Sequence, residues 1–297
     1  MTTTRSRLSI NLVLVVALTA VWASLSLGQK RAIPGGPRPF EPAEELLFEA
    51  EFSRAFLRKV DIADFRLTAV RVTPPVNKTS EASTSETTGP YILQFTGEAK
   101  SKGFFARLFN IHFLERVISI VEPASFTVQN TKRFDEQGSR VRSSEAVYDQ
   151  SNGKVVWTEH DPKNPTSEPR VASATFNGQI QDVLSAIYFL RTQPLEIGRS
   201  FEIPITDSGR VYQIPVHVIE KRRRKTVLGR VDVLHLDVEL FGPKGMVDTA
   251  GRFSIWLTAD HRHIPVSAKI KHEFGTFDIK LKKIIQSPAV LNQTKQS

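Results

Sequence analysis

Residues 181–195, QDVLSAIYFLRTQPL, read as one amphipathic helix in a chain whose other segments read as strands. Val183, Ile187 and Leu190 recur at helical spacing, and Leu184 and Tyr188 widen the apolar stripe. Asp182 suits the N-cap or first turn. Arg191 suits the negative end of the dipole, and Pro194 stops the helix. So broad a stripe cannot lie free on a surface. A helix of this kind among strands needs an apolar surface beneath it, either an ordinary core or the mouth of a cavity.

The strands announce themselves by alternation. Phe48, Ala50 and Phe52 alternate with Glu49, Glu51 and Ser53. Ile264, Val266, Ala268 and Ile270 alternate with Pro265, Ser267, Lys269 and Lys271, and Phe277, Ile279 and Leu281 with Asp278, Lys280 and Lys282. One-sided patterns of this kind belong to antiparallel strands with one wet face. A tight hairpin is expected at Gly275-Thr276. In residues 230–240 and 65–72 the alternation slips phase, which predicts β-bulges and a strongly curved sheet. Residues 74–90 are rich in Ser, Thr and Glu, and residues 159–169 hold three prolines, so both read as loops. Residues 103–109, GFFARLF, read as a second, short helix.

The N-terminus reads as an export signal. Arg5 and Arg7 precede an uncharged stretch, Leu8 to Leu27, and Ser26-Leu27-Gly28 supplies small residues for cleavage after Gly28. An uncleaved membrane anchor is the alternative, since the stretch approaches the roughly 20 residues that span a bilayer. The expected organisation is signal peptide 1–28, Pro- and Gly-rich linker 29–42, one β-rich domain 43–286 and polar tail 287–297. The periplasm is the expected compartment, with the membrane touched only through the signal or anchor segment.

With no cysteine among its 297 residues, the chain offers no disulfide, thiolate nucleophile, Cys-based metal site or lipoprotein anchor. The formal net charge is +9, and loss of Arg5 and Arg7 leaves +7. An exported basic protein meets anionic lipid or glycan before nucleic acid, and no nucleic-acid partner is expected. The sharpest basic cluster, Arg222-Arg223-Arg224-Lys225, reads as a hairpin tip: a solvated turn, or a contact for an anionic surface.

No catalytic constellation stands out. The chain lacks a Gly-x-Ser-x-Gly elbow and a phosphate-binding glycine loop. Glu49 with Glu51 and Asp237 with Glu239 fall on polar strand faces, where solubility explains them. Ser185 reads as a small residue packing inside the helix. Asp260, His261 and His263 could offer zinc a carboxylate and two imidazoles, but they sit where a polar turn is expected. The expectation is no enzyme, no metal and no cofactor. Nineteen phenylalanines are either core or the lining of an apolar cavity. The candidate lining residues are Phe104, Phe105, Phe109, Val183, Ile187 and Tyr188.

The chain resembles a family of exported bacterial proteins known as domain of unknown function 3108. The resemblance rests on Gly103-Phe104-Phe105 with Leu108-Phe109, on Asp182 to Arg191 with Pro194-Leu195 and Gly198, and on Ile255-Trp256-Leu257 with Asp260. Ile264-Pro265-Val266 and Gly275 complete it, so that it covers about Glu44 to Ile285. The first strand departs from the family's tyrosine-rich look, with Phe48 and Phe52 instead. The resemblance implies a β-rich envelope protein with an interrupting helix and assigns no activity. At the level of fold, the pattern is also similar to periplasmic lipoprotein carriers, whose half-open barrel is capped by helices. The expected fold is therefore mainly β: a curved antiparallel sheet or incomplete barrel with a central helix on its concave face, a two-sheet sandwich being the alternative. The expected role is to bind an apolar ligand such as a lipid or lipoprotein acyl chain. The alternative is an envelope structural or assembly protein that binds another protein or cell-wall glycan.

Overall fold

The computed structural model describes residues 38, 40, 43–73, 91–103 and 112–286. The segments expected as signal (1–28), most of the linker (29–42), loop (74–90) and tail (287–297), and Phe104, Phe105 and Phe109, lie outside the described residues.

The described residues form one sheet of fifteen strands, in the spatial order β8-β7-β6-β5-β4-β3-β2-β1-β15-β14-β13-β12-β11-β10-β9. The first meander is β1 (Ala43–Arg54), β2 (Leu57–Val72), β3 (Ile92–Ser101), β4 (Phe113–Glu122), β5 (Thr127–Gln137), β6 (Arg140–Asp149), β7 (Lys154–His160) and β8 (Arg170–Thr175). After it come the short β9 (Gln181–Asp182) and the helix α1 (Val183–Arg191). The second meander is β10 (Ser200–Asp207), β11 (Arg210–Thr226), β12 (Gly229–Val238), β13 (Gly251–Thr258), β14 (Pro265–His272) and β15 (Gly275–Ile285). Every pairing is antiparallel except that of β9 with β10. Chain-terminal strands β1 and β15 pair at the middle of the sheet. The segment carrying α1 therefore links the two outer ends.

Those two ends come back towards each other without joining into a closed barrel. The β10–β11 turn, Ser208-Gly209, has both residues at positive φ, 47° and 73°, the geometry of a tight hairpin turn. A Cβ on Gly209 would stand 2.6 Å from that of Ala172 on β8, so only glycine lets the turn lie against that edge strand.

Bulges bend the long strands. The β11–β12 register slips between Val218 and Glu220, and the β1–β2 register between Ala50 and Glu51. The phase slips read in the sequence have a different origin. The β2–β3 register is unbroken from Ala63 to Val72. Ala69 is buried in the main core, while Val70, on the opposite face, packs with Ala43, Val72 and Ile285. Likewise Val233 and Leu234 of β12 are both buried, in different clusters, and the extra residue lies across the ladder in β11. Both faces of these strands are covered, which a period-two pattern cannot express. The hairpin expected at Gly275-Thr276 turns two residues earlier, at Glu273-Phe274.

The main core sits where α1 meets the sheet. Tyr188 stacks on Phe95 with ring centroids 4.0 Å apart, and Phe40 meets both rings edge-on at 5.1 and 5.6 Å. Arg191, at the end of α1, is fully buried. Its guanidinium donates to both carboxylate oxygens of Glu44 on β1, at 2.5 and 3.0 Å, and its Nε–H to the carbonyl of Arg262 at 3.2 Å. It also lies over the rings of Phe40 and Tyr188.

Arg191→Met would strand the Glu44 carboxylate in the core. The expected loss is about 3–5 kcal/mol, read from urea unfolding midpoints. The double variant Glu44→Leu/Arg191→Met, with no charge left buried, should lose less than Arg191→Met alone.

Candidate functional site

Both ends of α1 are anchored. At its N-terminus the Asp182 carboxylate accepts from the Ser185 backbone N–H (2.7 Å), and Ser185 Oγ accepts from the Asp182 N–H (2.9 Å), forming a reciprocal capping box. Ser185 thus acts as a cap, a role the sequence reading missed. The approach to the helix is pinned to β5, whose Val128 N–H donates to the Ile180 carbonyl at 3.1 Å. Gln181 Nε2 donates to the Phe126 carbonyl at 2.5 Å. At the other end, His263 Nδ1 lies 3.0 Å from the Arg191 carbonyl, so this nitrogen carries the proton. Burial lowers the His263 pKa, which suits a neutral ring. Asp260 accepts from Thr258 and Arg262, so the turn at 259–264 is held by its own residues and by α1.

Beneath the helix lies a cavity of about 420 Å³. From α1, Val183, Leu184, Ile187 and Leu190 face it; from the sheet, residues such as Phe48, Trp157, Ile205 and Ile255 complete an apolar wall. Gly97 of β3 lets the helix come close, since a Cβ there would meet a Leu184 methyl at 3.2 Å. Val183, in the first turn of α1, is 44% exposed while lining the cavity. Of the candidate lining residues, Val183 and Ile187 face the cavity. Tyr188 does not: its ring is taken up by Phe95 and Phe40. Residues 183 and 187 share a face at i, i+4; Leu184 and Tyr188 share the neighbouring one, where Leu184 still reaches the cavity and Tyr188 stacks on Phe95.

One part of the wall is polar, and sequence reasoning missed it. Here the wall is lined by two groups: Thr131 of β5, Tyr148 of β6, Thr206 of β10 and the cap Asp182, and beside them Glu115 of β4, Arg133 of β5 and Asp207 of β10. Thr131 Oγ1 donates to Asp182, and Tyr148 OH lies 2.6 Å from Thr206 Oγ1. Arg133 reaches Glu115 at 2.8 Å and Asp207 at 3.6 Å. Burial pushes the Asp207 carboxyl up to about 6, against the opposing pull of Arg133 and Ser208. Burial likewise raises Glu115, with Arg133 opposing. For Arg133 burial disfavours charge, but Glu115, Asp207, Asp135 and Glu159 outweigh it, and the guanidinium is held more firmly protonated. A signal did exist: residues 129–133 of β5, QNTKR, hold no apolar residue on either face.

The basic quartet is not a hairpin tip. Arg222 to Lys225 continue β11, paired with Val233 to Arg230 of β12, and strand alternation divides them between two faces. Arg224 lies over the ring of Trp256 at 4.6 Å, and Arg222 pairs with Glu220.

Comparison with known proteins places this architecture. A family model described as protein of unknown function, DUF3108, matches residues 65–282, well over half of the chain. The chain belongs to this family. Among solved structures it is similar to a β-barrel-like protein of domain of unknown function DUF1849 from Brucella abortus. The identity is 11% and the TM-score 0.51, over 85% of this chain and 100% of that one. That likeness shows a shared fold. A putative lipoprotein from Parabacteroides distasonis aligns at 9% identity over 84% of this chain and 97% of its own, with a TM-score of 0.28. No curated protein matches the chain significantly. Among the described residues of this DUF3108 member, no helix is long and apolar enough to cross a membrane.

The raised Asp207 carboxyl has a signed consequence. The folded chain holds this proton more tightly than the unfolded chain, where aspartate has its ordinary value of 3.8. The stabilisation is present below pH 3.8 and is lost as pH rises through about 6. Asp207→Asn stays neutral and lacks that loss. Its stability relative to the parent should rise by about 1–3 kcal/mol between pH 4 and pH 7. Paired urea titrations at the two pH values measure the difference, and a flat difference would contradict the assignment.

Proposed function

We propose that this DUF3108 protein is a non-catalytic, exported protein that binds an apolar ligand, a lipid or an acyl chain, in the cavity beneath α1. The observation that carries the reading is an apolar cavity of about 420 Å³ left open under a helix fixed at both ends. That volume falls within the roughly 300–1,000 Å³ typical of small-molecule sites. The interior around Phe95 and Tyr188 is the contrast: there a ring of the same helix stacks directly on the sheet at 4.0 Å. An acyl chain entering beside Val183 would gain about 0.8 kcal/mol for each methylene buried. The polar network would meet a head group, so the cavity suits an amphiphile better than a pure hydrocarbon. Export to the periplasm is part of this proposal and rests on the Arg5 to Gly28 pattern.

The basic quartet favours the assembly alternative less than its sequence suggested. Its side chains are divided between two strand faces, and Arg222 and Arg224 are engaged by Glu220 and Trp256.

Two measurements test the reading. Native mass spectrometry of protein purified gently from its own cells, with solvent extraction alongside, should reveal a removable lipid or acyl mass. Ile187→Trp should fill the cavity and lower retained ligand at least tenfold, with a melting temperature within a few degrees of the parent. Undiminished binding by Ile187→Trp would sink the model of a ligand beneath the helix.

A further inference from the structure

Within the proposed binding function, the polar network speaks to the chemistry of the ligand's head. The charged side chains lining the cavity are Glu98, Glu115, Asp182, Asp207 and Arg133. Glu98 is taken up by Arg116, at 2.6 Å. The three remaining carboxylates outnumber the one guanidinium, which reaches Glu115 and Asp207, and no lysine is among the lining residues.

The hydroxyl donors at this end are largely committed to the protein. Arg133 is gripped by Glu115, the Thr131 hydroxyl donates to Asp182, and Tyr148 and Thr206 share a hydrogen between them. Acceptors are left over. Asp207 stands 3.6 Å from Arg133, beyond a true hydrogen bond, and accepts one long side-chain bond, from Ser208 Oγ at 3.3 Å. Glu115 stands 2.8 Å from Arg133. A carboxylate flanking an apolar cavity is a place for a donor to arrive. A ligand ending in a carboxylate or phosphate would bring more acceptors and negative charge to a site already rich in both.

We infer that the polar end of the cavity selects a single-chain amphiphile whose head is a protonated amine, in preference to one ending in a carboxylate or phosphate. Asp207 and Glu115 accept from the ammonium, and the alkyl chain runs under Val183 and Ile187. The ammonium supplies three donors in a compact group, which suits a wall where carboxylates outnumber the one guanidinium. The chain as a whole is strongly basic, so its general field favours the opposite choice. A preference for the amine must therefore come from the cavity.

The test is displacement of Nile red from the purified protein at pH 7.5 by dodecylamine and by dodecanoate, both below their micellar concentrations. The amine should bind at least tenfold more tightly. Asp207→Asn should narrow that ratio threefold or more, Glu115→Gln should act in the same direction, and Ile187→Trp should weaken both ligands. Circular dichroism identifies any variant that fails to fold, and the remaining one still decides. Equal or tighter binding of dodecanoate overturns the head-group assignment and leaves the cavity reading standing. Amine binding untouched by Ile187→Trp places the amine elsewhere and also overturns it. If neither chain displaces the dye, the binding function itself is wrong.

Discussion

The structure depends on one buried ion pair. Arg191 and Glu44 are 147 residues apart in sequence, and both side chains are fully buried. Neither charge could survive there alone, since an unpaired ion in a core costs several kcal/mol. The geometry meets the cost: two hydrogen bonds to the carboxylate, a third to the Arg262 carbonyl, and the faces of Phe40 and Tyr188 beside the guanidinium. Their mutual dependence fixes the C-terminal end of α1 over β1, at the centre of the sheet where the two meanders join. The capping box and the β9–β10 pairing fix the other end. A helix so held cannot sink further into the concave face.

The cavity is what remains after that constraint is met. Bulges and a close glycine turn curl the sheet, bringing the β10–β11 hairpin to the β8 edge. The face of α1 that carries Tyr188 packs tightly on Phe95, and the face that carries Val183 and Ile187 is left looking into open space. The charged network sits where the two meanders face each other, with Glu115, Thr131, Arg133 and Tyr148 from the first and Thr206 and Asp207 from the second. Apolar volume and polar end thus arise from the same curvature. The fold likeness to a DUF1849 protein, at 11% identity, speaks for this architecture and for nothing finer.

Much of the fold was legible because its signals are local. Alternation along β1, β14 and β15 marked antiparallel strands, and apolar spacing bounded by Asp182 and Pro194 marked the helix that spans Val183–Arg191. The site was legible only in part. Val183 and Ile187 could be placed in the cavity lining because they share a helical face, but the choice between their face and that of Tyr188 was not written in the apolar stripe. The basic quartet shows the same limit, since adjacent residues looked like one patch until strand alternation divided them.

The amino-acid sequence by itself determined that this chain would be mainly β with one apolar helix, because periodicity and caps are set by residues within a few positions of each other. The tertiary structure alone decided that Arg191 would meet Glu44, that Thr131 and Arg133 of one meander would face Thr206 and Asp207 of the other, and that a space would remain between them. Arg191 and Glu44 stand 147 positions apart, and Thr131 stands 51 from the Asp182 it bonds. Nothing local selects a partner at such a distance. It is chosen when the curved sheet folds back on itself and each buried charge must find its counter-charge.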